Sequence, residues 1–163
     1  MKIALFGGTG FIGTYLVEEL LRAGHNPKVL VRPGSERKLL HQNKCDIVTG
    51  AVSDIDAVRD TISNTDGVIY NIGIIREFPR KKITFEEIHF KGARSCMNMA
   101  SELGVERFIL MSANGVKQNG TDYQKTKFLS EQYIKETDLE WTVFRPSLVF
   151  GNPRGKIEFC SQL

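Results

Sequence analysis

The chain has 163 residues, 41% hydrophobic and 25% charged, which is enough apolar material for one domain-sized core without disulfides or a structural metal. The 22 basic and 19 acidic residues leave a net charge of only +3, which argues against a dedicated nucleic-acid binder. Cys45, Cys96 and Cys160 are odd in number and far apart, so they spell neither a disulfide framework nor a CxxC metal or redox site, and a reducing, cytoplasmic compartment is expected.

Six short apolar runs read as strands, at residues 3–6, 28–31, 46–48, 67–70, 107–111 and 141–144. The segments between them have the length and period of helices, which predicts βαβ units and a parallel sheet. The first helix is expected over 13–23, burying Leu16, Val17, Leu20 and Leu21, with Gly24 as its left-handed stop. The basic stretch 76–82 contains Pro79 and reads as a solvated loop. A long helix should open at the capping-box pattern Thr84-Phe85-Glu86-Glu87 and end at Gly104. No window approaches the 18 or so continuous apolar residues of a membrane span, and no signal peptide precedes the first strand.

Gly7-Gly8-Thr9-Gly10-Phe11-Ile12-Gly13 lies directly between the first strand and the first helix. Glycines at this spacing let a backbone approach a pyrophosphate, and the helix N-terminus offers unpaired N–H groups and the positive end of a dipole. At the end of the second strand, where a carboxylate would take the ribose 2′-hydroxyl of NAD, the chain has Arg32, followed by Arg37 and Lys38. A guanidinium matches a 2′-phosphate, so NADP(H) is the preferred cofactor; the alternative is an exposed strand-end arginine with NAD(H) bound. Ser112 ends the fifth strand, and Tyr123 and Lys127 follow at i,i+4 on one helix face. A nearby ammonium favours a phenolate, so Lys127 would lower the Tyr123 pKa for acid/base work while Ser112 orients a substrate oxygen. Such a tyrosine–lysine pair arises easily by chance; its place after the fifth strand is what gives it weight.

With these motifs and Arg145-Pro146-Ser147-x-x-Phe150-Gly151, the chain resembles the short-chain dehydrogenase/reductase superfamily in its extended or atypical, NAD-dependent epimerase/dehydratase-like branch. The stretches 73–77, 85–94 and 104–108 are similar to the group that includes the nucleotide-binding accessory subunits of respiratory complex I and their free-standing prokaryotic relatives. The resemblance implies a Rossmann-type α/β fold, a doubly wound parallel sheet in the order 3-2-1-4-5-6 with helices on both faces. It implies that Gly7, Thr9, Gly10, Phe11, Ile12 and Gly13 hold the pyrophosphate, that Arg32 meets the 2′-phosphate, and that Asn71, Gly73 and Lys127 line the nicotinamide ribose. Many members place an acidic residue after the glycine that ends the third strand; here Gly50-Ala51-Val52 leaves adenine to the backbone of Val52 and to packing. His89 stands where asparagine is common and is expected to serve as a hydrogen-bonding helix histidine.

Two functions are compatible with the resemblance. One is an oxidoreductase or epimerase acting on an unknown small substrate through Ser112, Tyr123 and Lys127. The other is a non-catalytic NADPH-binding subunit or assembly factor of respiratory or quinone-dependent complexes, peripheral to the inner face of a membrane. Extended members carry a further substrate lobe, so residues 1–151 are expected to form the nucleotide-binding domain and 152–163 to begin a lobe that is cut short, with a helix over 156–163.

Overall fold

A computed structural model describes residues 1–152. Six parallel strands form one sheet in the order β3-β2-β1-β4-β5-β6: β1 (Lys2–Phe6), β2 (Asn26–Val31), β3 (Asp46–Thr49), β4 (Gly67–Tyr70), β5 (Arg107–Met111) and β6 (Glu140–Phe144). The helices are α1 (Phe11–Arg22), α2 (Ile55–Ile62), α3 (Gly92–Glu102) and α4 (Asp122–Lys135). The expected strand order is therefore the observed one. The helix expected over 156–163 and all but the first residue of the expected second lobe lie outside the described residues.

Strand periodicity divides the core. In β1, Ala4 and Phe6 join Tyr70, Phe108, Met97 and Ile134 in one cluster, beneath α2, α3 and α4. Ile3 and Leu5 face the other side with Val29, Val31 and Ile69, beneath Val17 of α1. Both faces of β1 are covered, as in other parallel sheets, which is why it reads as a continuous apolar run. α1 ends as expected: Gly24 takes φ +74°, its N–H donates to Leu21 O, and His25 N–H donates to Leu20 O, the paired bonds of a Schellman cap.

Two elements differ from expectation. The β2–β3 crossover contains no α-helix, only the 3₁₀ turns Glu36–Lys38 and Gln42–Lys44. Pro33 and Gly34 interrupt the chain after β2, Gly34 takes φ +78°, and His41 adopts a left-handed conformation, so no helical run is long enough to form. The long helix opens with a π-helical turn, Glu86–Lys91, before α3. Its looser ladder is matched by side-chain hydroxyls: Tyr70 Oη donates to Ile88 O at 2.5 Å, and Ser130 Oγ to His89 O at 2.6 Å. Thr84 supplies half of the expected capping box, its Oγ1 accepting from Glu87 N–H at 3.1 Å.

Candidate functional site

The strand order reverses between β1 and β4, and the C-terminal ends of those strands hold the candidate residues. Gly7 takes φ +94°, and a Cβ there would lie 2.8 Å from Asn71 O, so the β1 loop crosses directly over the end of β4. A Cβ on Gly13 would come within 2.0 Å of Gly7 O, so α1 packs against the glycine loop itself. Gly10 is different. Its φ of −81° and ψ of 178° are open to any residue, and a Cβ would meet only Gly7 O, at 3.4 Å. The fold therefore does not demand glycine at position 10.

Gly10 is the N-cap of α1, and no side chain caps the helix; its first turn, beginning Phe11-Ile12-Gly13, contains no acid. The N-terminal amides and positive dipole end thus face the glycine loop with no acid in the helix's own first turn to compete for them. This is a cradle that a pyrophosphate fits and a side chain at position 10 would crowd. Thr9, also in the loop, is already engaged by the protein.

Arg32, immediately after β2, is exposed, and its guanidinium makes no hydrogen bond or ion pair among the described residues. Val52, past β3, is buried against the start of α3, its Cγ2 being 3.2 Å from where a Cβ on Gly92 would stand.

The second group lies at the ends of β4 and β5. Lys127 is buried, and its ammonium donates to Met111 O at 2.8 Å and to Ile72 O at 3.5 Å. A Cβ on Gly73 would be 3.7 Å from Lys127 Nζ, so the strand-end residues and the lysine come together as expected. Burial lowers the Lys127 pKa to about 8, against a raising influence from Glu131. Tyr123, one helical turn earlier, is partly buried and packs edge-on against Phe85 and His89, at centroid distances of 5.7 and 5.1 Å. Its pKa is raised by loss of water around the phenol, which reverses the direction expected from a neighbouring ammonium.

Ser112 is placed apart from any open surface. Its Oγ is enclosed and has no partner in good hydrogen-bond geometry among the described residues, although it lies close enough to Glu131 to help hold that carboxylate's pKa down. Asn71 Oδ1 is likewise enclosed without a donor. Both belong to residues adjoining the carbonyls that Lys127 binds.

His89, expected from the sequence to be a hydrogen-bonding helix histidine, joins two elements. It is buried, and Nε2 accepts from Ile74 N–H at 3.0 Å, which leaves the proton on Nδ1, 3.3 Å from Thr126 Oγ1. Its ring also stacks on Phe85. His89 thus ties the loop after β4 to α4 and forms one wall beside Tyr123.

Glu131, a further turn along α4, is buried, and Arg145 grips it with two side-chain bonds, Nε to Oε1 at 2.9 Å and Nη2 to Oε2. Burial would raise the Glu131 pKa, but the bonds from Arg145, the nearby Ser112 hydroxyl and the charges of Arg145 and Lys135 outweigh it and leave it lowered. The signal for this pair was the i,i+4 continuation of Tyr123 and Lys127 to Glu131. Removing Arg145 strands a buried carboxylate. Arg145→Met should destabilise the chain by about 2 kcal/mol in urea unfolding, less than for a fully buried pair because the guanidinium is half in water.

Comparison with known proteins supports a nicotinamide dinucleotide as the cofactor. A family model described as NAD(P)H-binding matches residues 7–162. The NADH-ubiquinone oxidoreductase 40 kDa subunit of Neurospora crassa is 28% identical over 152 residues, covering 90% of this chain and 40% of that protein. A ceramide reductase of Caulobacter vibrioides is 27% identical over 150 residues, covering 91% of this chain and 46% of its own length. The chain thus spans less than half the length of these two curated relatives. Among solved structures, a putative NAD-dependent epimerase/dehydratase from Bacillus halodurans superposes with a TM-score of 0.75 at 24% identity, over 90% of this chain and 70% of that one. With the family model matching nearly the whole sequence, residues 7–162, the chain belongs to the NAD(P)H-binding family.

Proposed function

We propose that the chain holds NADP(H) across the end of the sheet and uses Tyr123 as the proton donor in reduction of a small carbonyl substrate. The observation that carries this reading is the meeting of Lys127 with the ends of β4 and β5, one turn from Tyr123, on the same sheet edge as the cradle. The pyrophosphate would lie on Gly7, Thr9, Gly10, Phe11, Ile12 and Gly13, the adenine beside Val52, and the ribose of the nicotinamide half near Asn71, Gly73 and Lys127. The unengaged guanidinium of Arg32 supports a 2′-phosphate and hence NADP(H) over NAD(H).

The bound nucleotide supplies the hydride. Because burial raises the Tyr123 pKa, the phenol keeps its proton near neutral pH, which suits donation to a developing alkoxide. Lys127 is charged through most of the neutral range and anchors the ribose side. The enclosed hydroxyl of Ser112 supports a positioning role through Glu131 in place of direct contact with substrate. NADPH oxidation against a panel of carbonyl compounds tests the reading. Tyr123→Phe should lower turnover by about 10²- to 10⁴-fold with nucleotide binding intact, and unchanged turnover would refute Tyr123 as the donor.

A second reading, a non-catalytic nucleotide-binding subunit, is favoured by the likeness to the Neurospora crassa 40 kDa subunit and by the enclosed Ser112. It predicts stabilisation by NADPH without turnover, about 2.7 kcal/mol at a hundredfold excess over Kd.

A further inference from the structure

Residues 74–83 leave β4 and fold back as a small antiparallel finger. Phe78 N–H donates to Ile83 O at 2.7 Å and Ile83 N–H returns to Phe78 O at 3.3 Å, around the 3₁₀ turn Pro79–Lys81. Its base is tied down twice, by Ile74 N–H on the buried His89 and by the Glu77 carboxylate, which accepts from Phe85 N–H at 2.6 Å. The finger is therefore a held structure, and what it displays is set by the fold.

It displays two large apolar side chains in water, Ile75 at 73% and Phe78 at 47% exposure. Arg76, Arg80, Lys81 and Lys82 share the finger with them, all exposed, with Arg76 over the Phe78 ring. None of the four makes a salt bridge among the described residues, and Glu77, the one acid of the finger, is engaged by the backbone. The finger's surplus of three positive charges equals the +3 of the whole chain. Beside it, a cup of about 330 Å³ is lined by Glu77, Phe78, Pro79, Arg80 and Lys81. Exposed apolar groups on the same finger as four cations that make no salt bridge match a surface that is anionic outside and hydrocarbon beneath.

We propose that this finger docks the protein on an anionic lipid bilayer. Ile75 and Phe78 enter the boundary between headgroups and acyl chains, and Arg76, Arg80, Lys81 and Lys82 meet the lipid phosphates. Binding is peripheral and reversible, since the described residues include no helix long and apolar enough to cross a membrane. A nucleic acid fits less well. Single strands need aromatic platforms along a groove, whereas here the one ring at the tip has Arg76 over it, 5.6 Å from its centroid, and its exposed neighbour is aliphatic.

Co-sedimentation of the full chain with phosphatidylcholine vesicles, with and without phosphatidylglycerol, tests this. Binding is expected only to the anionic vesicles and should weaken with salt. Each cation removed should cost about fivefold, so Arg80→Gln/Lys81→Gln/Lys82→Gln together should weaken binding by roughly 100-fold. Ile75→Ser/Phe78→Ser should weaken it about tenfold or more. Both variants should keep the thermal midpoint and the NADPH-induced shift, which separates failure of this proposal from failure of the nucleotide reading. If the serine variant misfolds, the glutamine variant, altered only at exposed side chains, decides the question. Equal binding to neutral vesicles, no binding to anionic ones, or binding that both variants retain would overturn the proposal. So would duplex DNA that displaces the vesicles and binds the serine variant undiminished.

Discussion

Gly13→Ala is expected to cripple folding, whereas Gly10→Ala, three residues away in the same motif, should leave the fold intact and remove the nucleotide. The contrast comes from what each added methyl would meet. At position 13 it would lie 2.0 Å from Gly7 O and 2.7 Å from Gly8 Cα, both backbone atoms of a loop already pinned over Asn71. The only relief is to push α1 off the sheet, which uncovers Val17 and the cluster beneath it. A cost of about 4 kcal/mol or more is expected, a large share of a domain's stability. For a chain of this size that corresponds to a fall in Tm of roughly 10 °C or more.

At position 10 the methyl meets nothing closer than 3.4 Å in a backbone conformation that alanine adopts freely. Within the protein the change is nearly neutral; in front of the helix N-terminus, where the proposed pyrophosphate would lie, the methyl would crowd it. NADPH affinity should fall by on the order of 100-fold, about 2–3 kcal/mol, while the Tm without nucleotide stays within about 2 °C. Differential scanning fluorimetry with and without NADPH reads both effects. If Gly10→Ala binds as well as the parent chain, the cradle is not where the pyrophosphate lies.

Stability should also decline on mild acidification, and His89 should be responsible for much of the slope. Its pKa is lowered from 6.5 to about 3, first by burial and then by the nearby charge of Lys127, and the bond that Nε2 accepts from Ile74 N–H exists only while that nitrogen is unprotonated. Above pH 6.5 the ring is neutral whether folded or unfolded and contributes nothing to the slope. Below it the unfolded chain takes up a proton that the folded chain refuses, so stability is lost progressively from pH 6.5 towards 3. The loss from this one group is on the order of 4 kcal/mol across the window, and about 2–3 kcal/mol by pH 4.5. Glu131, its pKa lowered, acts in the same direction at the acidic end, so the informative quantity is the difference between variants. His89→Gln keeps an acceptor for Ile74 N–H but cannot titrate. Urea unfolding at pH 7 and 4.5 should show a smaller loss for His89→Gln; equal losses would mean that the ring protonates without leaving its place.

The apolar runs made the six strands and their parallel pairing legible, because both follow from short-range sequence, whereas the strand order came with the family resemblance that the glycine and tyrosine–lysine motifs carry. The helix absent between β2 and β3 had its warning in Pro33-Gly34, which outweighs the length of the segment. The π-helical turn had no such warning. It depends on Tyr70, from β4, reaching Ile88 O and on Gly92 leaving room for the tyrosine ring, a pairing made only by the tertiary fold. Likewise Tyr123 and Lys127 could be found by spacing, but the direction of the tyrosine's pKa shift could not. That direction comes from Phe85 and His89 drying the phenol, while the ammonium spends its bonds on the backbone of β5 and the β4 loop.

Parallel titrations of the full chain with NADPH and NADH test the central claim most directly. A single saturable site is expected, at least about tenfold tighter for NADPH, with the preference lost in Arg32→Ala because the 2′-phosphate then has no guanidinium. Saturable binding of equal strength for the two nucleotides would remove Arg32 from the site, and no binding of either would contradict the account at its foundation.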